Sequence, residues 1–204
     1  SLNKRNMKKL IELMSKFGAE FLPKNKFFFP LRIISSNYPI GISYESGVSA
    51  QLKSAVMLAG LNSYGNTEIK ENFKSRDHTE NMLKKNKKAI KIQNRKVKNI
   101  KIFGKQNLEK FSLDVPGDPS SAAFFTALTL LKENSYLKIK NVGLNSKRIG
   151  FYKLLKKHGA KIKFNNIKKN NNEFMGDIHV KSSKLKSIRA GSNYYTSLTD
   201  EYPI

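Results

Sequence analysis

The stretch Arg148 to Phe164 reads RIGFYKLLKKHGAKIKF, and its reading decides the fold. Phe151, Leu154 and Leu155 recur at helical spacing and predict one apolar stripe on an amphipathic helix. Gly159 follows where a left-handed residue would end that helix, and a short strand comes after it. The same order of Arg, amphipathic helix, stop and strand occurs twice more, in Arg5 to Phe21 (RNMKKLIELMSKFGAEF) and Arg76 to Ile92 (RDHTENMLKKNKKAIKI). The three arginines lie 71 and 72 residues apart, and Ala19, Ala89 and Ala160 lie 70 and 71 apart. Met7, Leu10, Ile11 and Met14 carry the stripe of the first copy and Gly18 its stop; Lys88 replaces the glycine in the middle copy, so its stop is weaker.

Working outward, a helix rich in small residues precedes the second and third copies: Ser49 to Gly60 (SAQLKSAVMLAG) and Pro119 to Leu131 (PSSAAFFTALTLL). Each is followed by a turn and an alternating strand, Thr67 to Lys70 and Tyr136 to Lys140, and further strand is expected at Ile100 to Ile102 and Asp177 to Val180. Asp200 falls 82 residues after Asp118, where another helix of this kind would open. The fold expected is α/β (α+β), with pseudo-threefold βαβαββ repeats, fully buried helices inside and sheets facing solvent, rather than a solenoid. Pro116-Gly117 breaks the pattern, so residues 1–115 are read as the later part of one domain and 116–204 as the first part of a second. The basic stretch 84–110 and the Asn-rich 165–172 read as solvated hairpins and loops. The chain opens on Ser and stops at Ile204 as an apolar element begins, so two incomplete domains of a longer protein are expected.

Composition narrows the function classes. A net charge of +24 over 204 residues suggests a polyanion partner, yet 33 of the 39 basic residues are Lys spread along the chain. Nucleic-acid sites tend to concentrate Arg with aromatics, so most of the Lys is read as background on solvated faces. Zero Cys excludes disulfides, thiolate zinc sites and cysteine nucleophiles, and three His far apart in sequence argue against a catalytic metal. No apolar run approaches the roughly 20 residues of a membrane span, and a soluble chain is expected.

A few positions carry possible chemistry. Ser49-Ala50-Gln51 opens a buried helix after Gly47, where free backbone N–H groups suit a phosphate or carboxylate; an ordinary Ser cap is the simpler alternative. Arg76 at a helix start opposes the helix dipole, which hints at an anion, and Arg5 and Arg148 occupy equivalent places; for Arg148, pairing with a carboxylate is preferred. Asp118 with Pro119 reads as a helix cap. Of the adjacent Asp200 and Glu201, either could act as a general base.

The phrases SAQLKSAVMLAGLN (Ser49 to Asn62), SRDHTE (Ser75 to Glu80), VPGDPSSAAF (Val115 to Phe124) and DEYPI (Asp200 to Ile204) resemble the 3-phosphoshikimate 1-carboxyvinyltransferase (EPSP synthase) family, in its class II variant. Ser1 to Arg5 resembles the family's SLxKRPM phrase, with Asn6 where Pro is usual. The resemblance implies transfer of the enolpyruvyl group of phosphoenolpyruvate to the 5-hydroxyl of shikimate 3-phosphate, with release of phosphate and without cofactor or metal. It implies that Arg5 holds phosphoenolpyruvate, that Ser49, Ala50 and Arg76 hold the shikimate phosphate, and that Gln51 lies between both substrates. Asp200 would bind the substrate hydroxyls and serve as the base, and Asp118 would be a cleft residue. A cytoplasmic enzyme, monomeric when complete, with neither nucleic-acid nor membrane partners, is expected. The family's other substrate loops lie outside this stretch, so the 204-residue piece alone is expected to be inactive. The alternatives are a related enolpyruvyl transferase acting on a UDP-amino sugar and a Lys-rich nucleic-acid-binding module.

Overall fold

The three repeated segments each fold as a helix followed by an antiparallel hairpin. In the computed structural model, which describes residues 2–94 and 96–204, the elements run α1 (Lys8–Ser15), β1 (Glu20–Leu22), β2 (Arg32–Ile34), β3 (Ser43–Ser46), α2 (Ala50–Asn62), β4 (Asn66–Glu71), α3 (His78–Leu83), β5 (Ile90–Asn94) and β6 (Lys98–Phe103). They continue with α4 (Pro119–Leu131), β7 (Tyr136–Gly143), α5 (Gly150–Lys157), β8 (Lys161–Asn170), β9 (Glu173–Lys181) and α6 (Tyr195–Leu198). Two units result: Ser1–Phe73 with Leu83–Lys110, and Lys74–Met82 with Phe111–Ile204. The segment 74–82, which carries Arg76, thus belongs to the second unit although it precedes Pro116 by some forty residues.

In the first unit β1 pairs with β2, and a second sheet has the order β3-β4-β6-β5, parallel only between β3 and β4. In the second unit the antiparallel order β7-β9-β8 repeats β4-β6-β5. Thr67, Ile69 and Glu71 of β4 are buried while Asn66, Glu68 and Lys70 are exposed. Such period-2 alternation gives the sheet one face toward helices and one toward water. Val56, Met57, Ile69, Ile100 and Ile102 centre one core, and Ala123, Val142, Tyr152, Ile178 and Val180 the other. Gly18 and Gly159 end α1 and α5 at φ +95° and +100°, as the sequence pattern requires.

Two expectations are corrected, and a third holds. The middle amphipathic helix is only the six residues of α3. Lys84, Lys85, Lys87 and Lys88 would crowd like charges on adjoining helical turns, and Asn86 instead turns inward to accept the Glu109 N–H at 2.6 Å. The Asn-rich segment forms a solvated hairpin as read from the sequence, with β8 running to Asn170 and a register shift between Asn165 and Lys168 that Asn166 accommodates at φ +51°. Asn171 and Asn172, both at positive φ, make the two-residue turn into β9. The small-residue helices are buried on one face only. Val56, Met57 and Gly60 of α2 face the core while Leu58 is 53% exposed; on α4, Ala122, Ala123, Thr126 and Leu130 face inward while Phe124, Phe125, Leu128 and Leu131 are exposed.

Candidate active site

In the first unit, Ser49 is the N-cap of α2, its Oγ accepting the Leu52 N–H at 3.3 Å. The cap reading is therefore correct, and it leaves the helix N-terminus at Ala50 and Gln51 with backbone N–H groups that no earlier turn can engage. The helix is pinned just behind that end. Lys53, fully buried, bonds Glu71 of β4 at 2.7 Å, and Glu71 also meets Lys98 of β6 at 3.0 Å. Arg5, Asn6, Gln51, Leu52 and Ala55 line one cleft of about 530 Å³. Asn6 performs the job expected of proline in another way: its side chain accepts the Lys8 N–H at 2.9 Å and shapes the entry to α1. Arg5 and Gln51, 46 residues apart in sequence, are brought to one cavity.

In the second unit, Asp118 caps α4, its carboxylate accepting the N–H groups of Ser120 and Ser121. Beyond the cap it receives Arg148 Nη2 at 2.8 Å. Arg148 Nη1 reaches Asp200 Oδ2 at 2.6 Å, and Arg76 Nη2 reaches the same oxygen at 2.6 Å. Arg76 thus meets a carboxylate of the chain itself, and it lies just before α3 rather than within it. The adjacent acids separate by environment. Glu201 is buried and accepts from the Ser120 hydroxyl, whereas the Asp200 side chain is 47% exposed. Of the two acids, Asp200 is therefore the one exposed to solvent.

The arginines, Arg148 foremost and then Arg76, hold the Asp200 carboxyl below its usual value of 3.8. For Asp118, partial burial pushes upward, but the Ser121 and Ser120 bonds and Arg148 outweigh it and the net shift is downward. A depressed folded-state value stabilises the fold above the unfolded value, and that stabilisation is lost as pH falls through the folded value. The stability that charged Asp200 adds over Asp200→Asn, at most about 1 kcal/mol for a half-exposed pair, is therefore expected at pH 7 and to be lost as the pH falls below 3.8 through the folded value. An advantage of constant size across that range would contradict the ion-pair assignment.

The rest of the SRDHTE phrase fastens Arg76 in place. Asp77 receives Asn145 at 2.9 Å and Lys147 at 2.9 Å, while His78 and Asn81 meet Glu173 at 2.9 and 3.0 Å. Glu173 is held below its ordinary value: burial pushes it up, and the bonds from His78, Asn81 and Asn145 prevail. The His78 side chain is half exposed. Sequence reasoning missed Lys53 and Ser120, whereas the carboxylate pairing preferred for Arg148 is found, with Asp118 and Asp200 both as partners. Among the described residues no group of three or more His, Asp or Glu is placed to hold a metal ion, and no helix is long and apolar enough to cross a membrane.

A family model described as EPSP synthase (3-phosphoshikimate 1-carboxyvinyltransferase) matches residues 1–191. The 3-phosphoshikimate 1-carboxyvinyltransferases of Petrotoga mobilis and Bacillus subtilis are 44% and 40% identical, each over 100% of this chain and 47% of the relative. The chain thus spans about half the length of the curated relatives it matches. Among solved structures, EPSP synthase from Acinetobacter baumannii superposes with a TM-score of 0.81 at 33% identity, covering 100% of this chain and 46% of that one. The enolpyruvyl transferase NikO from Streptomyces tendae shares the fold, with a TM-score of 0.68 at 14% identity over 92% of this chain and 44% of that one. With the repeat topology, the Arg5–Gln51 cleft and the arginine-flanked Asp200 already in view, the match over nearly the whole length shows that this chain belongs to the EPSP synthase family.

Proposed function

We propose that this chain is the central part of an enzyme that transfers the enolpyruvyl group of phosphoenolpyruvate to the 5-hydroxyl of shikimate 3-phosphate. The observation that carries this is Asp200, an exposed carboxylate held between two guanidiniums beside a capped helix start. The hydroxyl oxygen bonds C2 of phosphoenolpyruvate while its proton passes to Asp200, and C3 takes a proton from a general acid of the full-length enzyme. C3 then returns a proton to that group, the C2–O bond to phosphate breaks, and phosphate leaves with the proton that Asp200 had taken. Both substrates are multiply charged anions, and fixed cations with helix N-termini suit them because such groups need no reorganisation as charge develops. Arg5 and Gln51, sharing one cleft, are assigned to phosphoenolpyruvate, and Ser49, Ala50, Gln51 and Arg76 to shikimate 3-phosphate. Asp118 acts through Arg148 as a cleft residue. The enzyme works in the cytoplasm as a monomer.

The test is phosphate release from phosphoenolpyruvate and shikimate 3-phosphate. A polypeptide joining this chain to the flanking halves of its relatives is expected to turn over, and the 204-residue chain alone is not. Turnover by the isolated chain, or none by the joined one, would overturn the proposal.

A further inference from the structure

The two arginines on Asp200 are not equivalent. Arg148 is 12% exposed and spans three acceptors: Nη1 bonds Asp200 Oδ2, and Nη2 bonds Asp118 Oδ1 at 2.8 Å and Ser120 Oγ at 2.9 Å. Ser120 is itself tied to the buried Glu201. Arg148 is therefore fixed to the cap and first turn of α4 and to the turn that carries Asp200. Arg76 is 27% exposed and reaches the same Oδ2 from the far end of the cluster. Among the described residues no protein donor meets Asp200 Oδ1, and the side chain is half open to solvent.

We propose that Arg148 is the positioning residue of the reaction centre: it keeps Asp200 in place through Oδ2, with Oδ1 turned to the substrate hydroxyl, when Arg76 leaves Asp200 for the substrate's phosphate. This rests on the transferase function proposed above. A single arginine serving both the base and the phosphate would release the base as substrate bound. Two arginines divide the work, because one is anchored by three acceptors and the other can exchange one anion for another. The exchange also acts on basicity. While Arg76 and Arg148 both face Asp200, with Asp118 and Glu201 the neighbouring acids, the carboxylate is a weak proton acceptor; removing one cation strengthens it as the hydroxyl arrives.

Two readouts test this. In the 204-residue chain, Asp200 is followed by carboxyl-carbon NMR titration. Arg148→Gln is expected to raise its midpoint by about one pH unit, a tenfold change in protonation equilibrium, and Arg148→Lys by less. In the joined, full-length enzyme, Arg148→Lys keeps the cation but cannot span three acceptors. It is expected to lower kcat about tenfold or more, with KM for shikimate 3-phosphate within about threefold and the acid limb of the kcat profile moved upward. Arg76→Gln is expected to do the reverse, raising that KM most. An unmoved Asp200 titration in folded Arg148→Gln, or full kcat in Arg148→Lys, overturns the proposal. If Arg148→Gln does not fold, the Arg148→Lys kinetics decide it. If the parent full-length enzyme shows no turnover, the transferase function has failed, and the titration still decides whether Arg148 holds Asp200.

Discussion

Asp200→Asn in the full-length enzyme is expected to lower kcat by about 10³-fold while leaving the unfolding midpoint nearly unchanged. Loss of a positioned general base costs typically 10²- to 10⁴-fold. The asparagine keeps the shape and one acceptor oxygen for Arg76 and Arg148, so the loss isolates proton transfer from packing. Stability should move little because Asp200 is about half exposed and such ion pairs contribute about 0–1 kcal/mol at most. Asp200→Ala should add a rise in KM for shikimate 3-phosphate, since the hydroxyl contact is then lost as well. Steady-state kinetics alongside urea unfolding separate these effects. More than about a tenth of parental kcat in folded Asp200→Asn would remove Asp200 from the role of base. Lys91→Ala and Lys157→Ala, at exposed positions remote from the named site residues in sequence, are the controls and should leave turnover intact. If they abolished activity or a salt-steep affinity for nucleic acid, the Lys-rich binding module would regain standing.

Glu71→Gln should cost the first unit about 3–5 kcal/mol, which is the usual consequence of removing one partner of a buried ion pair. Glu71 meets two ammonium groups, and Lys53 is wholly buried, so the neutral amide leaves their charges without the carboxylate that offsets their desolvation. That loss is a large fraction of the stability of any domain this size. Lys53→Met with Glu71→Leu should be less harmful than Glu71→Gln alone, because both charges and their desolvation disappear together. Urea unfolding of Lys53→Met, Glu71→Leu and the double measures the coupling as a cycle, with Glu71→Gln alongside. A Glu71→Gln chain within about 1 kcal/mol of the parent would show that the network carries little stability. The effect bears on function through position: Lys53 sits two residues after Gln51, and its bond to β4 holds the start of α2 against the sheet.

Much of the architecture could be read from one dimension because it repeats. Arg, stripe, alanine and strand at 70- to 72-residue spacing located the helix-hairpin units, and Asp118-Pro119 marked the first residue of α4. The errors fell where local composition competes with context. A run of lysines looked helical by spacing, but like charges and the inward turn of Asn86 stopped α3 early. The outward faces of α2 and α4 looked fully buried because their apolar residues run all round, which says nothing of how many faces find partners.

By itself the sequence determined the class of fold, the family and the identity of the candidate ligand-binding residues, because these follow from periodicity and from phrases long enough to be specific. Only the tertiary structure distinguished Asp200 from Glu201, one exposed between arginines and the other buried against Ser120, since they are adjacent in the chain. It also decided that Arg148 is joined to Asp200, 52 residues away, and that Lys53 is held by Glu71, 18 residues away. Charge pairing of this kind is set by distance in space, to which no periodicity in the chain corresponds.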